Sequence, residues 1–280
     1  MLLNKVNNIT PLPNLGIIAG GGLLPSEIAR LQRNIGGKVF IAALQGEAEI
    51  SSIAIYSYKQ FPIGSVGELL KYFTENNVEE IIIIGGIKRP DLKSIKVDVI
   101  GSLLIAKILK EKFLGDDNIL KIISNFIESK GFKVISPKKL LELNNFDAFH
   151  ETKSKPSKQD KIDIELGIKT LNALGDFDIG QSVIVSDGYV LGIEAAEGTD
   201  NLIQRCALLR RNKKAGVLIK MAKSSQDMRL DIPTIGPDTI SYLAIHGYNG
   251  LAIEKTKLLI VKPAETIKLL NKSNLFITLV

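Results

Sequence analysis

The sequence predicts an α/β protein: a doubly wound, parallel-stranded sheet in the N-terminal half, followed by a domain of mixed α+β character. Three observations carry this. Short apolar runs alternate with amphipathic segments through the first half, and glycine clusters close two of those runs. Beyond position 137 the alternation loses its regularity and a hairpin signal appears.

Taken in order, "LGIIAG" (15–20) reads as a strand, followed by a helix from about Ser26, an expected N-cap, to Asn34. "GGKVFIAAL" (36–44) is a second strand, and "PIGSVGELLKYFTENN" (62–77) a loop feeding a helix. "EEIIIIGGI" (79–87) is apolar at successive positions, as expected of a strand covered on both faces. The helix "NILKIISNFIESKG" then leads to a strand at "VISP" (134–137). The stretch 137–160 is polar, rich in lysine and broken by Pro156, which sets the expected domains at 1–136 and 137–280. The second opens with a helix, "KIDIELGIKTLNALG". "QSVIVSDGYVLGIEA" follows, a hairpin turning at Asp187–Gly188. A helix (about 200–211), the strand "AGVLIKMA", a helix after "TIGP" and the paired runs "GLAIEK" and "KLLIV" complete it.

Composition removes several functions. The 280 residues are 45% hydrophobic and 24% charged, without the run of about 18 apolar residues that a membrane span needs. The opening "MLLNKVNNITPLPNLG" lacks the apolar core of a signal peptide, so a cytoplasmic protein is expected. One cysteine, Cys206, excludes an intramolecular disulfide, and its helix-like surroundings predict a buried thiol. Two histidines, His150 and His246, cannot build a histidine-rich dinuclear centre or a structural zinc site. A divalent ion would therefore rest on oxygen ligands, as Mg²⁺ does. The charge of +6 is dispersed, aromatic residues are 6% and tryptophan is absent, so stacking platforms for nucleic acid are not visible and none is expected as a partner. An anionic small molecule, an anionic membrane face or a solvated basic surface accounts for the surplus equally well.

Two glycine-rich strand ends are candidate ligand linings. Gly20 and Gly22 match the first two positions of Gly-x-Gly-x-x-Gly, but the third is Pro25, which preserves a helix start while losing the dinucleotide fingerprint. Gly20, Gly21 and Gly22 are then either a cradle for phosphate or another ligand, or a tight turn. Gly85 and Gly86 end the second buried run, with Lys88 and Arg89 adding positive charge; a solvated basic turn is the plain alternative.

The second domain offers oxygen groups at Glu197, Thr199 and Asp200, suited to ribose hydroxyls or a metal's water shell, or else to capping the next helix. From 219 to 237, Lys220, Lys223 and Arg229 alternate with Gln226, Asp227 and Asp231. Metal-assisted phosphoryl hydrolysis needs that mixture of charge neutralisation and a positioned nucleophile; a surface ion-pair network needs only part of it.

The ordered blocks "GIIAGGGLLP", "IIIIGGIKRP", "PSKQDKIDIELG", "DIGQSVIVSDGYVLGIEAAEGTD" and "KSSQDMRLDIPTIGP" resemble the LpxI-type UDP-2,3-diacylglucosamine pyrophosphatases, from about Leu15 to the C-terminus. The resemblance implies a Rossmann-like N-terminal domain and a C-terminal catalytic domain, with the substrate held between them. It also implies Mg²⁺-dependent hydrolysis of UDP-2,3-diacylglucosamine to UMP and 2,3-diacylglucosamine 1-phosphate (lipid X), on the route to lipid A. The family's essential aspartate lies in Gln-Asp-x-Arg-x-Asp-x-Pro, matched here by Asp227, with Asp231 second, as catalytic and metal-binding residues. Within the same blocks Gln181, Gly198 and Thr234 join the expected substrate contacts. Ser224 and Ser225 precede Gln226 where a Pro-Gly or similar pair is expected. A homodimer and peripheral contact with the inner membrane are further expectations; a non-catalytic nucleotide-sugar or lipid-phosphate binder is the alternative function.

Overall fold

The computed structural model describes residues 12–87, 95–111, 116–141, 152–175, 179–211, 215–223, 229–230, 232–255 and 258–280. The chain divides into two compact units, one of Met1–Lys112 with Ile122–Leu140, the other of Phe113–Lys121 with Leu141–Val280.

The first unit runs β1 (Asn14–Ala19), α1 (Leu24–Asn34), β2 (Val39–Leu44), α2 (Ile50–Ile53), β3 (Ser57–Phe61), α3 (Val66–Glu75) and β4 (Val78–Ile84). It continues with α4 (Val99–Leu109), the part of α5 (Asp116–Glu128) from Ile122 onward, β5 (Lys133–Val134) and α6 (Lys138–Leu141) as far as Leu140. The five strands form the expected parallel sheet, in the order β3-β2-β1-β4-β5. Strands β1 and β4 are central, and Ile81 to Ile84 are buried because both faces are covered. The chain winds from β1 outward to β3, then returns to the other side of β1, so the switch point lies between β1 and β4.

One local expectation changes, and two elements carry no clear sequence signal. Helix α1 begins at Leu24 with Leu23 as a cap that makes no side-chain bond; Ser26 lies inside the first turn and its Oγ donates to the Leu23 carbonyl at 2.8 Å. Pro25, which needs no N–H partner there, takes the helix start earlier than Ser26. Strand β3, "SYKQF", carries no apolar signal because it is an edge strand with most side chains exposed. Helix α4 is apolar on nearly every position, so helical periodicity is faint; Asp98 defines its start by accepting from Gly101 N at 2.6 Å and, across to α3, from Gly67 N at 2.7 Å.

The second unit contains α7 (Lys158–Leu174), β6 (Ser182–Ser186), β7 (Tyr189–Ile193), α8 (Thr199–Ala207), β8 (Val217–Lys220) and β9 (Thr234–Ile235). After these come α9 (Pro237–Ile245), β10 (Gly250–Ile253), β11 (Leu259–Ile260), α10 (Pro263–Lys272) and β12 (Phe276–Leu279). The main sheet is ordered β12-β10-β8-β6-β7, with β8, β10 and β12 parallel and β6 antiparallel to both neighbours. Strand alternation sends Val183, Val185, Val217 and Ile219 to the face under α7, where Ile164 and Leu171 meet them. Ile184, Leu218 and Leu251 point the other way, into a core closed by Leu202, Ile203 and Cys206 of α8, Ile240 and Leu243 of α9 and Leu270 of α10. Cys206 is buried there, as its apolar setting predicts, and burial pushes its thiol above the ordinary range.

The hairpin turns at Asp187 and Gly188, both with positive φ. Its tip is tied to α7: the buried Asp163 carboxylate accepts from Asp187 N at 3.0 Å, Gly188 N at 2.8 Å and Gln159 Nε2 at 3.0 Å. The expected pairing of "GLAIEK" with "KLLIV" is corrected. Strand β10 lies between β8 and β12, while β11 pairs with β9 in a separate two-stranded sheet. A short-range sequence reading favours adjacent runs, but α10 carries the chain across so that β12 becomes the parallel partner.

Candidate active site

The residues of interest in the second unit converge where β8 ends and β6 begins. Antiparallel pairing places Ser182 opposite Lys220, and the amide after β7, Glu194 N, donates to the Ser182 carbonyl at 2.8 Å. Helix α8 starts nearby at Thr199. Lys220 Nζ donates to Thr199 Oγ1 and to the Thr234 carbonyl, each at 2.9 Å. Thr199 Oγ1 donates to Glu194 Oε1 at 3.1 Å and lies 3.3 Å from Ser182 Oγ. A hydroxyl has one proton and two lone pairs. Given to Glu194, that proton leaves the lone pairs for Lys220 and Ser182, so each contact is chemically consistent.

This cluster is deeply placed: Ser182, Lys220 and Glu194 are 0%, 6% and 7% exposed. The second carboxylate oxygen, Glu194 Oε2, is buried without a hydrogen-bond partner. Such an atom costs about 1–3 kcal/mol. Next to it, burial pushes the Asp200 carboxyl above its ordinary range; Lys220 pulls it back, while Asp238 and Glu194 push it further up.

The backbone leaving β8 is pinned on both sides. Met221 N donates to the Gln181 carbonyl at 2.9 Å, Glu254 N to the Lys220 carbonyl at 3.2 Å, and Ala222 N to Glu254 Oε2 at 3.0 Å. The segment 221–233 therefore leaves and returns at one place, because Lys220 holds Thr234 directly. Buried Leu230 and Pro233 anchor its returning arm, and Lys223 and Arg229 on its two arms are half-buried. Gln226, Asp227 and Asp231 lie outside the described residues, as do Lys88 and Arg89.

Several sequence expectations change role. Neither Thr199 nor Asp200 caps α8: the cap is Gly198, with no side-chain bond, and Thr199 is turned to Lys220 and Glu194 instead. Glu197 sits on an exposed face, bonded to Arg205 at 2.7 Å and to Ala195 N at 3.1 Å. Burial pushes its carboxyl up, but these hydrogen bonds outweigh that and hold it below the usual range. The acidic group that enters the cluster is Glu194, three residues earlier. Two glutamates in one strand-end turn give no sequence signal for which is buried. Lys220 too is committed to protein partners rather than lying on a surface open to phosphate.

In the first unit, the two glycine loops meet each other at the switch point. Gly21 N donates to the Gly86 carbonyl at 2.7 Å and Gly86 N to the Gly21 carbonyl at 3.1 Å, while Gly20 N bonds the Ile84 carbonyl at 2.9 Å. A Cβ on Gly20 would lie 2.5 Å from the Gly86 oxygen, and one on Gly85 2.7 Å from the Gly21 oxygen. Gly20, Gly21 and Gly86 thus use their amides on each other's strand ends, and any cradle at this helix start begins at Gly22.

Among the described residues, no three His, Cys, Asp or Glu side chains gather as a metal group. The expected ligands Asp227 and Asp231, an oxygen-only donor pair of the kind Mg²⁺ accepts, lie outside the described residues. Among the described residues, too, no helix is long and apolar enough to cross a membrane.

Fold and site together define a two-unit α/β protein with a buried, charged strand-end cluster in its second unit, the position at which α/β sheets hold ligands. Residues 14–143 match the family model described as the LpxI N-terminal domain, and residues 148–278 that of the LpxI C-terminal domain. The chain is 30% identical over 269 residues to a Caulobacter vibrioides protein named UDP-2,3-diacylglucosamine pyrophosphatase LpxI, covering 94% of this chain and 96% of that one. The chain belongs to the LpxI family of enzymes.

Proposed function

We propose that the protein hydrolyses the pyrophosphate bond of UDP-2,3-diacylglucosamine, with Mg²⁺, to UMP and 2,3-diacylglucosamine 1-phosphate. The observation that carries this reading is the near full-length likeness to the Caulobacter vibrioides pyrophosphatase. The buried Glu194–Thr199–Lys220 cluster supports it, because it clamps both ends of the segment bearing Gln226, Asp227, Arg229 and Asp231.

In this reading Asp227 and Asp231 hold Mg²⁺, and Asp227 aligns the attacking water. The bound ion supplies charge neutralisation on the pyrophosphate oxygens. Lys223 and Arg229 contribute positive charge from the two arms of the segment, and Asp200 and Thr234 offer polar groups to the substrate at its base, while the Thr199 hydroxyl is taken up by Glu194, Lys220 and Ser182. Lys220 serves as the clamp beneath them.

The protein works as a homodimer beside the inner membrane in this reading. Exposed Val99, Leu103 and Leu109 on α4, with Lys107 and Lys110, supply an apolar and basic face suited to anionic lipid.

Purified protein incubated with UDP-2,3-diacylglucosamine, with and without Mg²⁺, tests the reading. Release of UMP and the lipid monophosphate only with Mg²⁺ is expected. Tight binding of the substrate without any UMP would instead make the protein a nucleotide-sugar binder.

A further inference from the structure

We propose that Glu194 is a positioning residue of this site: through the Thr199 hydroxyl it orients the Lys220 ammonium, and with it the two ends of the 221–233 segment. The proposal rests on the pyrophosphatase reading above.

Three features of the molecule support it. Glu194 Oε1 receives the only proton Thr199 has, which turns the hydroxyl's lone pairs toward Lys220 Nζ and Ser182 Oγ. Without that acceptor the hydroxyl is free to rotate and donate elsewhere, and Lys220 loses one of its two described partners. Second, Lys220 Nζ also holds the Thr234 carbonyl, so a change in its direction reaches the far end of the segment. Third, Glu194 is a poor choice for stability alone. It is 7% exposed and its Oε2 has no partner, whereas a neutral side chain of the same shape would avoid burying a half-satisfied charge. Local rules broken in this way are expected where function, rather than folding, selects the residue.

The test uses the full chain and four variants: Glu194→Leu, which keeps the bulk but offers no acceptor, Thr199→Val, Thr199→Ser and the double variant Glu194→Leu/Thr199→Val. Glu194→Leu is expected to remain folded under assay conditions, so that kcat is read on native protein and referred to the folded fraction. Its kcat should fall about 10- to 100-fold, the scale of an ångström-level misplacement. KM should move less than about threefold, since no contact with the substrate itself is lost. Thr199→Val should reproduce the kcat loss, Thr199→Ser should recover most of it, and the double variant should be no worse than either single change.

Parental kcat in Glu194→Leu overturns the proposal, as does a loss that merely tracks the unfolded fraction. A raised KM at unchanged kcat makes Glu194 a direct substrate contact, and additive losses in the double variant remove Thr199 as the link; either result overturns it. A parent protein that releases no UMP defeats the pyrophosphatase reading first, and this proposal with it.

Discussion

Lys220 Nζ and Thr199 Oγ1 lie 2.9 Å apart, joining the last residue of one strand to the first residue of a helix across the mouth of the mixed sheet. On Lys220 also hangs the Thr234 carbonyl. Replacing Lys220 by methionine keeps the stem but removes the charge, leaving the Glu194 carboxylate buried without its counter-charge. A loss of about 3 kcal/mol in unfolding free energy is expected. Most of it should return in Lys220→Met/Glu194→Gln, which buries no charge at either position. Urea titrations of both variants check this, and a double variant no more stable than Lys220→Met refutes it.

Asp227→Ala should leave the far-ultraviolet circular dichroism and thermal midpoint near those of the parent while lowering UMP release by about three orders of magnitude or more, as expected when metal binding and nucleophile alignment go together. A well-folded Asp227→Ala protein with near-parental turnover would remove this residue from the chemistry.

Asp163 receives two hairpin amides and the Gln159 side chain. Alanine there leaves the turn donors without their charged acceptor, so a loss of about 2–3 kcal/mol is expected. Chemical denaturation measures it; hydrogen exchange at Asp187 and Gly188 should rise well above that of the β8 amides.

The two glycine loops separate close approach from backbone strain. Gly20→Ala drives a methyl into the Gly86 and Gly85 carbonyls, at 2.5 and 2.7 Å, and should cost about 2–3 kcal/mol. Gly22 has open space around it but a φ of +85°, so Gly22→Ala should cost only about 1 kcal/mol. Equal losses in the two variants would show that contact between the loops does not matter.

Asp200 provides a pH test. Burial raises its folded-state pKa, so the stability it contributes is present below the unfolded value of about 3.9 and is lost as pH rises through the folded value. At about pH 7 the ionised carboxylate is a burden. Asp200→Asn should therefore raise Tm there, with the gain shrinking as the pH approaches about 4. A gain independent of pH would point to packing instead of ionisation.

Much of the architecture was legible in the chain itself. The runs around Ile17 and Ile82 announce buried parallel strands by being apolar without alternation, and Asp187–Gly188 announces its hairpin because few residues accept positive φ in succession. Cys206 in an apolar helical setting was readable as core. Less visible were β3, whose polar side chains suit an exposed edge, and α4, whose apolar residues on all sides erase the helical period. The order of β10, β11 and β12 depends on a crossover, which no local pattern encodes.

For the site, the amino-acid order determined which chemical groups are available: paired cations and carboxylates between 219 and 237, and oxygens at the 193–200 turn. Only tertiary structure decided which of them meet. Strand pairing set Ser182 against Lys220, and the same geometry turned Glu194 inward while Glu197 found Arg205 at the surface. The physical reason is that burial and hydrogen-bond partnership arise between segments distant along the chain. Lys220 and Thr199, 21 residues apart, share a bond that neither neighbourhood predicts.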